Sequence, residues 1–198
     1  DPKFREVRLV EPCEPLKETA AAMGNVGLFM EKGVIRRAAL AQDGRPSLAL
    51  AAYEVATQDR SKRSGAARLI DYYGEGRHLE TKSYYQALEP GQYLPPDYFA
   101  GQIVFVGAAD PAATGPTAAK DAFSTPFSTR KNPLTYGVEI HATIAANLLE
   151  QRRIDLLHPA AEAAMLLLLG LDTGVVFIGL RPMYGVLAPL AREAARWT

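Results

Sequence analysis

Ile103-Val104-Phe105-Val106-Gly107, read with Tyr136-Gly137-Val138-Glu139-Ile140-His141-Ala142 further along, decides the fold of this chain. Four apolar residues closing on a glycine read as a fully buried strand that ends in a tight turn, as in a parallel sheet covered on both faces. The run from Gly137 to Arg153 then reads as a helix. Val138, His141, Ala145 and Leu148, with Ile144 beside them, share one face, and Glu139, Thr143 and Asn147 share another. A strand, a loop and a helix that docks on the sheet imply the α/β class, with a mixed sheet flanked by helices. On the apolar face, His141 is expected to be a packed, hydrogen-bonded histidine rather than a base or ligand. Glu139 lies near the helix start, where a carboxylate meets the positive end of the helix dipole.

Working outward, Val7 to Val10 reads as a short strand and Pro15 to Met23 as a helix. Asn25 to Met30, the turn Glu31-Lys32-Gly33 and Val34 to Leu40 form the clearest hairpin pattern. Pro46 and Ser47 open an Ala-rich helix over Leu48 to Thr57. The basic stretch from Gln58 to Gly65 reads as a solvated turn. Arg68 to Tyr73 is expected to be a strand closed by Gly74-Glu75-Gly76, and Ser83-Tyr84-Tyr85-Gln86 has the form of a capping box. Tyr93, Pro95, Pro96 and Tyr98 mark a rigid connection, after which Gln102 to Val106 is expected as an interior strand with neighbours on both sides. Ala108 to Thr135 has no periodicity. Long connections inside compact domains tend to carry function, which makes Asp110, Lys120, Asp121 and Thr125 candidates for a ligand-facing loop. The crevice beyond the end of a strand is where open α/β sheets bind ligands, so Asp110, Asp121, Thr125 and Glu139 form the ligand-binding candidate set.

The pairing of Phe105-Val106-Gly107 with Gly137-Val138-Glu139-Ile140-His141-Ala142 resembles the type-2 CHASE domain, an extracytoplasmic sensor module of bacterial membrane receptors. Gly33 to Arg37, Pro46 to Ala52, Ile70 to Gly74 and Thr81 to Tyr85 follow the order and approximate spacing of that family, so the resemblance covers residues 16–157. It implies that Gly107, Gly137, His141 and Asn147 are structural motif positions. It also implies a domain over residues 1–157, lying in the periplasm, and a transmembrane and juxtamembrane segment over residues 158–198 in a bacterial inner membrane. Beyond Thr198 the resemblance implies an adenylate or diguanylate cyclase, or a kinase. It implies a membrane span ahead of the polar opening Asp1-Pro2-Lys3-Phe4-Arg5, where no signal-peptide pattern is seen. Its implied partners are an unknown extracytoplasmic signal, membrane lipid and a second copy of the chain in a homodimer.

Ala163 to Leu180 is a mostly apolar run of membrane-spanning length, interrupted by Asp172 and followed by Arg181-Pro182. Met183 to Leu190 starts a second apolar run that is too short to span. With 198 residues, 48% of them hydrophobic, the rest of the chain has enough apolar material for a core without a disulfide framework. Lys and Arg total 22 against 22 Asp and Glu, a balance that gives no electrostatic reason to expect nucleic acid as partner. Cys13 is alone and sits between prolines, so it is expected to be a bystander thiol. His78, His141 and His158 lack metal-ligand spacing, and no nucleophile elbow, Walker loop or glycine fingerprint occurs, so no catalytic residue, metal or cofactor is expected. A small hydrolase or nucleotide-binding enzyme using Asp110, Asp121, Glu139 and His141 is the competing expectation, and a ligand-free dimerisation module is a third.

Overall fold

The computed structural model describes residues 10–63, 67–109, 121–130 and 134–194, and the chain divides into two compact units between Ile154 and Asp155. The expected strand Val7 to Val10 falls mainly outside the described residues, and Asp110 and Lys120 fall wholly outside them.

The first unit is α/β. After a short helix α1 (Glu14–Thr19), strands β1 (Phe29–Glu31) and β2 (Val34–Ala38) form the expected hairpin. Its two-residue turn, Lys32-Gly33, has φ of 48° and 82°, the left-handed backbone that suits the twist of paired strands. A small hairpin, β3 (Ala41–Gln42) with β4 (Arg45–Pro46), leads into α2 (Leu48–Thr57). Ser47 caps that helix, its Oγ accepting from Leu50 N–H at 3.2 Å, and Gln58 ends it with φ 59°. The helix therefore runs where its cap and periodicity place it, with Pro46 in β4 rather than in the first turn.

Strand β5 (Arg68–Leu69) pairs antiparallel with β2, giving the order β1-β2-β5. Two short helices follow, α3 (Tyr84–Leu88) and α4 (Pro90–Tyr93), the first entered through the capping box, in which Gln86 Oε1 accepts from Ser83 N–H at 3.0 Å. A last hairpin, β6 (Ala122–Phe123) with β7 (Thr135–Tyr136), is tied to β2 by a parallel bridge between Val34 and Ser124. That bridge makes the assembly mixed. Helix α5 (Gly137–Leu149) packs on α2, and together with β2 and Ile70 they enclose Ile35, Leu40, Ala49, Leu50, Ile140, Ile144, Ala145 and Leu148.

Several expectations are corrected. The fully buried parallel strand at Gln102 to Val106 does not form: Ile103 and Phe105 are half-buried, Val104 and Val106 exposed, and the segment joins no ladder among the described residues. Part of the reason lies in β2, whose one edge pairs with β1 and whose other edge serves both β5 and Ser124, so the segment cannot pair with that central strand. The strand expected over Arg68 to Tyr73 stops at Leu69, and Arg63, exposed in the solvated turn as expected, also holds a partner. Its Nε and Nη2 lie 2.6 Å from the two carboxylate oxygens of Glu54, a buried residue of α2. Thr143 and Asn147 are buried, although they fall on the polar stripe, and Ile140, outside the expected apolar stripe, is fully buried.

Gly107 still matters, for packing. A Cβ there would lie 2.6 Å from Val138 Cβ and 2.8 Å from its Cγ2, so the backbone rests directly on the first turn of α5. A Gly107→Ala change is expected to destabilise the domain by about 1–3 kcal/mol, since a β-branched side chain in a helix has little freedom to retreat. Urea unfolding midpoints compare the two proteins, and an unchanged midpoint would mean that the close approach is relaxed at little cost.

The second unit is one helix, α6 (Pro159–Ala194), which runs through both apolar segments instead of breaking at Pro182. Over Pro159–Val176 its mean hydropathy is 1.5 and none of it is buried, so this stretch is long and apolar enough to cross a membrane.

Candidate functional site

The C-terminal end of α5 gathers a polar cluster from residues far apart in sequence. Asn147 is 8% exposed, and its side-chain amide grips the backbone of Asp71 at two points. Its Oδ1 accepts from Asp71 N–H at 2.9 Å, and its Nδ2 donates to Asp71 C=O at 3.0 Å. A side chain thus takes the place of a strand, holding the chain just after the last ladder bond, Ile70 N–H to Arg36 C=O. Beyond Leu149 the helix ends, Gln151 turns the chain with φ 56°, and Arg152 N–H returns to Asn147 C=O at 2.9 Å.

That turn carries the Arg152 guanidinium onto Asp71, with Nε and Nη2 each 2.8 Å from Oδ2. The same group lies over the Tyr73 ring, 4.6 Å from its centroid, a cation–π contact. Tyr73 Oη donates to Glu150 Oε2 at 2.8 Å, and its ring stacks parallel to His78 at 5.8 Å. His78 N–H in turn donates to Glu139 Oε1 at 2.9 Å, reaching the first turn of α5. Hydrogen bonding to Asp71 holds the Arg152 pKa above its ordinary value, and burial followed by the Glu150 hydrogen bond raises that of Tyr73. The segment from Asp71 to His78 is therefore fastened to both ends of α5 and to the residues that lead out of the first unit at Ile154.

His141 sits deeper, 4% exposed, as a packed histidine. Its Nε2 lies 3.2 Å from Val26 C=O, which can only accept, so Nε2 carries the proton. Nδ1 is then the unprotonated nitrogen, buried with no hydrogen-bond partner among the described residues. Burial lowers the pKa of this ring, outweighing the upward pull of the Val26 carbonyl. The unfolded chain binds a proton near pH 6.5 and the folded one only below that. Stability is therefore full above about pH 6.5 and falls as acid protonates the unfolded state first, down to the lowered folded pKa. A His141→Gln change is expected to flatten this part of the pH profile. Denaturation at pH 7.5 and 5.5 checks it, and an equal pH dependence in both proteins would assign the acid lability to other groups.

The remaining candidates do not converge on an acid–base set. Asp121 is exposed and its carbonyl accepts from Gly137 N–H at 2.7 Å, which puts it against the start of α5. Glu139 is bound to His78, and Thr125 is buried, its N–H donating to Ser128 Oγ at 2.8 Å. Gly137 packs closely, since a Cβ there would lie 3.1 Å from Phe123 Cε2 and 3.5 Å from Asp121 C=O. Among the described residues, no hydrogen bond joins Asp121, Glu139 and His141, and no three His, Cys, Asp or Glu side chains gather as metal ligands would. Cys13 is exposed.

Sequence reading passed over the Asp71, Tyr73, Glu150 and Arg152 cluster and the grip of Asn147 on Asp71. Its members stand 76 to 81 residues apart, beyond the reach of any helical or strand period. The one signal available was the resemblance, which marks Asn147 as a structural motif position, and an enclosed amide must find partners for both its ends.

The family model for the CHASE2 domain matches residues 4–177, which takes in the first unit and the opening turns of α6. No curated protein and no solved structure matches the chain. A match over most of the sequence, on an α/β unit followed by a helix of membrane-spanning length, places this chain in the CHASE2 family, the extracytoplasmic sensory domains of signalling proteins.

Proposed function

We propose that residues 1–157 form the signal-receiving domain of a bacterial inner-membrane receptor, on the periplasmic side, with residues 158–198 as its membrane anchor. An adenylate or diguanylate cyclase, or a kinase, beyond Thr198 receives the signal. The observation that carries this reading is the cluster around Asp71. A ligand that moves the segment Asp71 to His78 acts on Arg152, two residues from the end of the first unit, through a salt bridge, a ring contact and the Asn147 grip. Stimulus and exit are then two ends of one element, as a population shift between two arrangements requires. Recognition is proposed at the start of α5, where the Asp121 carbonyl meets Gly137 N–H and Glu139 holds His78, with Asp110 and Thr125 as the further candidates.

The test is a thermal-shift screen of the purified chain in detergent against small periplasmic metabolites, repeated for any hit with Asp121→Ala and Glu139→Ala. A ligand should raise the midpoint of the parent, and at least one variant should lose that rise. A hit untouched by both variants moves the site elsewhere in the domain, and the absence of any hit favours dimerisation as the domain's role.

A further inference from the structure

Ile103 to Val106 has strand character without a strand partner among the described residues. Phe105 turns toward the core, whereas Val104 and Val106 are 50% and 73% exposed, the alternation of a strand with one face on a core. Gly107 pins its end against Val138. Among the described residues, none donates to or accepts from the backbone of residues 103–109. Native sheet edges are guarded by lysine, proline, bulges or a covering element. Gln102 to Ala109 contains no charge and no proline, and its outward side chains are apolar. Anchored, β-prone and, among the described residues, unpaired, this row of backbone donors and acceptors fits one chemistry, that of another extended chain.

We propose that this edge pairs with the same segment of a second copy, antiparallel about a two-fold axis at Phe105. A two-fold interface has to be self-complementary, so the segment must match its own reverse. It does. That register sets Val104 of one protomer opposite the partner's Val106, and Val106 opposite the partner's Val104, two β-branched cross-strand pairs on one outward face. With no charge from Gln102 to Ala109, the copies meet without like-charge repulsion. Nothing in this pairing depends on which signal the domain senses.

The test is amide hydrogen exchange of the full chain in detergent, at constant detergent and falling protein concentration, with light scattering on the same samples. Alternate amides between Val104 and Ala108, those that face the partner, should exchange slowly in the dimer and rapidly once dilution gives monomer. The amides of α5 should stay protected throughout. A Val106→Lys change sets a charge into each cross-strand pair and should weaken the dimer about tenfold or more, with α5 still protected. Rapid exchange at every concentration overturns the proposal, including in a dimer held together by α6 alone. Slow exchange in samples that light scattering shows to be monomeric also overturns it, because the partner strand would then belong to the same chain.

Discussion

Replacing Asn147 with alanine is expected to destabilise the domain by about 2–4 kcal/mol. The variant removes two hydrogen bonds and leaves the N–H and C=O of Asp71 without the amide that pairs them, and each unsatisfied group costs about 1–3 kcal/mol when enclosed. Asp71 is half-buried, so water recovers part of that cost and the sum stays below its upper limit. Asn147→Asp keeps the acceptor and turns a second oxygen toward the Asp71 carbonyl, so it should restore little. Arg152→Ala, by contrast, removes a solvent-screened ion pair and should cost clearly less than Asn147→Ala. Chemical denaturation of the three variants beside the parent separates these effects. An Asn147→Ala loss no larger than that of Arg152→Ala would show that the grip on Asp71 contributes little.

Ile140→Ala is expected to cost about 2–5 kcal/mol, the range for deleting an aliphatic side chain from a well-packed interior. Ile140 is fully buried, on the face of α5 that meets Ile35, Leu50 and Ile144 in the central cluster. Both neighbouring walls are regular elements, α2 and β2, so the cavity left by three missing carbons has little room to collapse. Leu88→Ala is the matched control, since Leu88 is largely exposed on α3 and should change stability by no more than about 0.5 kcal/mol. A shift in urea midpoint at constant slope is the expected record for Ile140→Ala. Similar midpoints for the two variants would mean that the core is not centred where the packing places it.

Some of this molecule was settled by the chain alone. The extent of α2 follows from a serine cap and an Ala-rich apolar run, and the β1–β2 hairpin follows from Lys32-Gly33 between two apolar stretches. These are local effects, in which a hydroxyl or a positive φ acts within a few residues of its cause. The length of the apolar part of α6 is also written in the residues, because spanning depends on hydropathy along one helix. The packed state of His141 followed from its helical face.

Tertiary structure decided the rest. Ile103 to Val106 has the composition of an interior strand, yet whether it enters a sheet depends on free backbone groups beside it, and β1, β5 and Ser124 occupy both edges of β2. Helical periodicity put Asn147 and Thr143 on a polar face. Periodicity describes one helix in isolation, whereas in the folded domain both are buried, Asn147 against the turn after β5. The cluster of Asp71, Tyr73, His78, Glu150 and Arg152 had no local signature for the same reason. Its contacts exist only when segments some eighty residues apart are brought together, and the hydrophobic burial that brings them together is non-directional, so the sequence names the apolar residues without naming their neighbours.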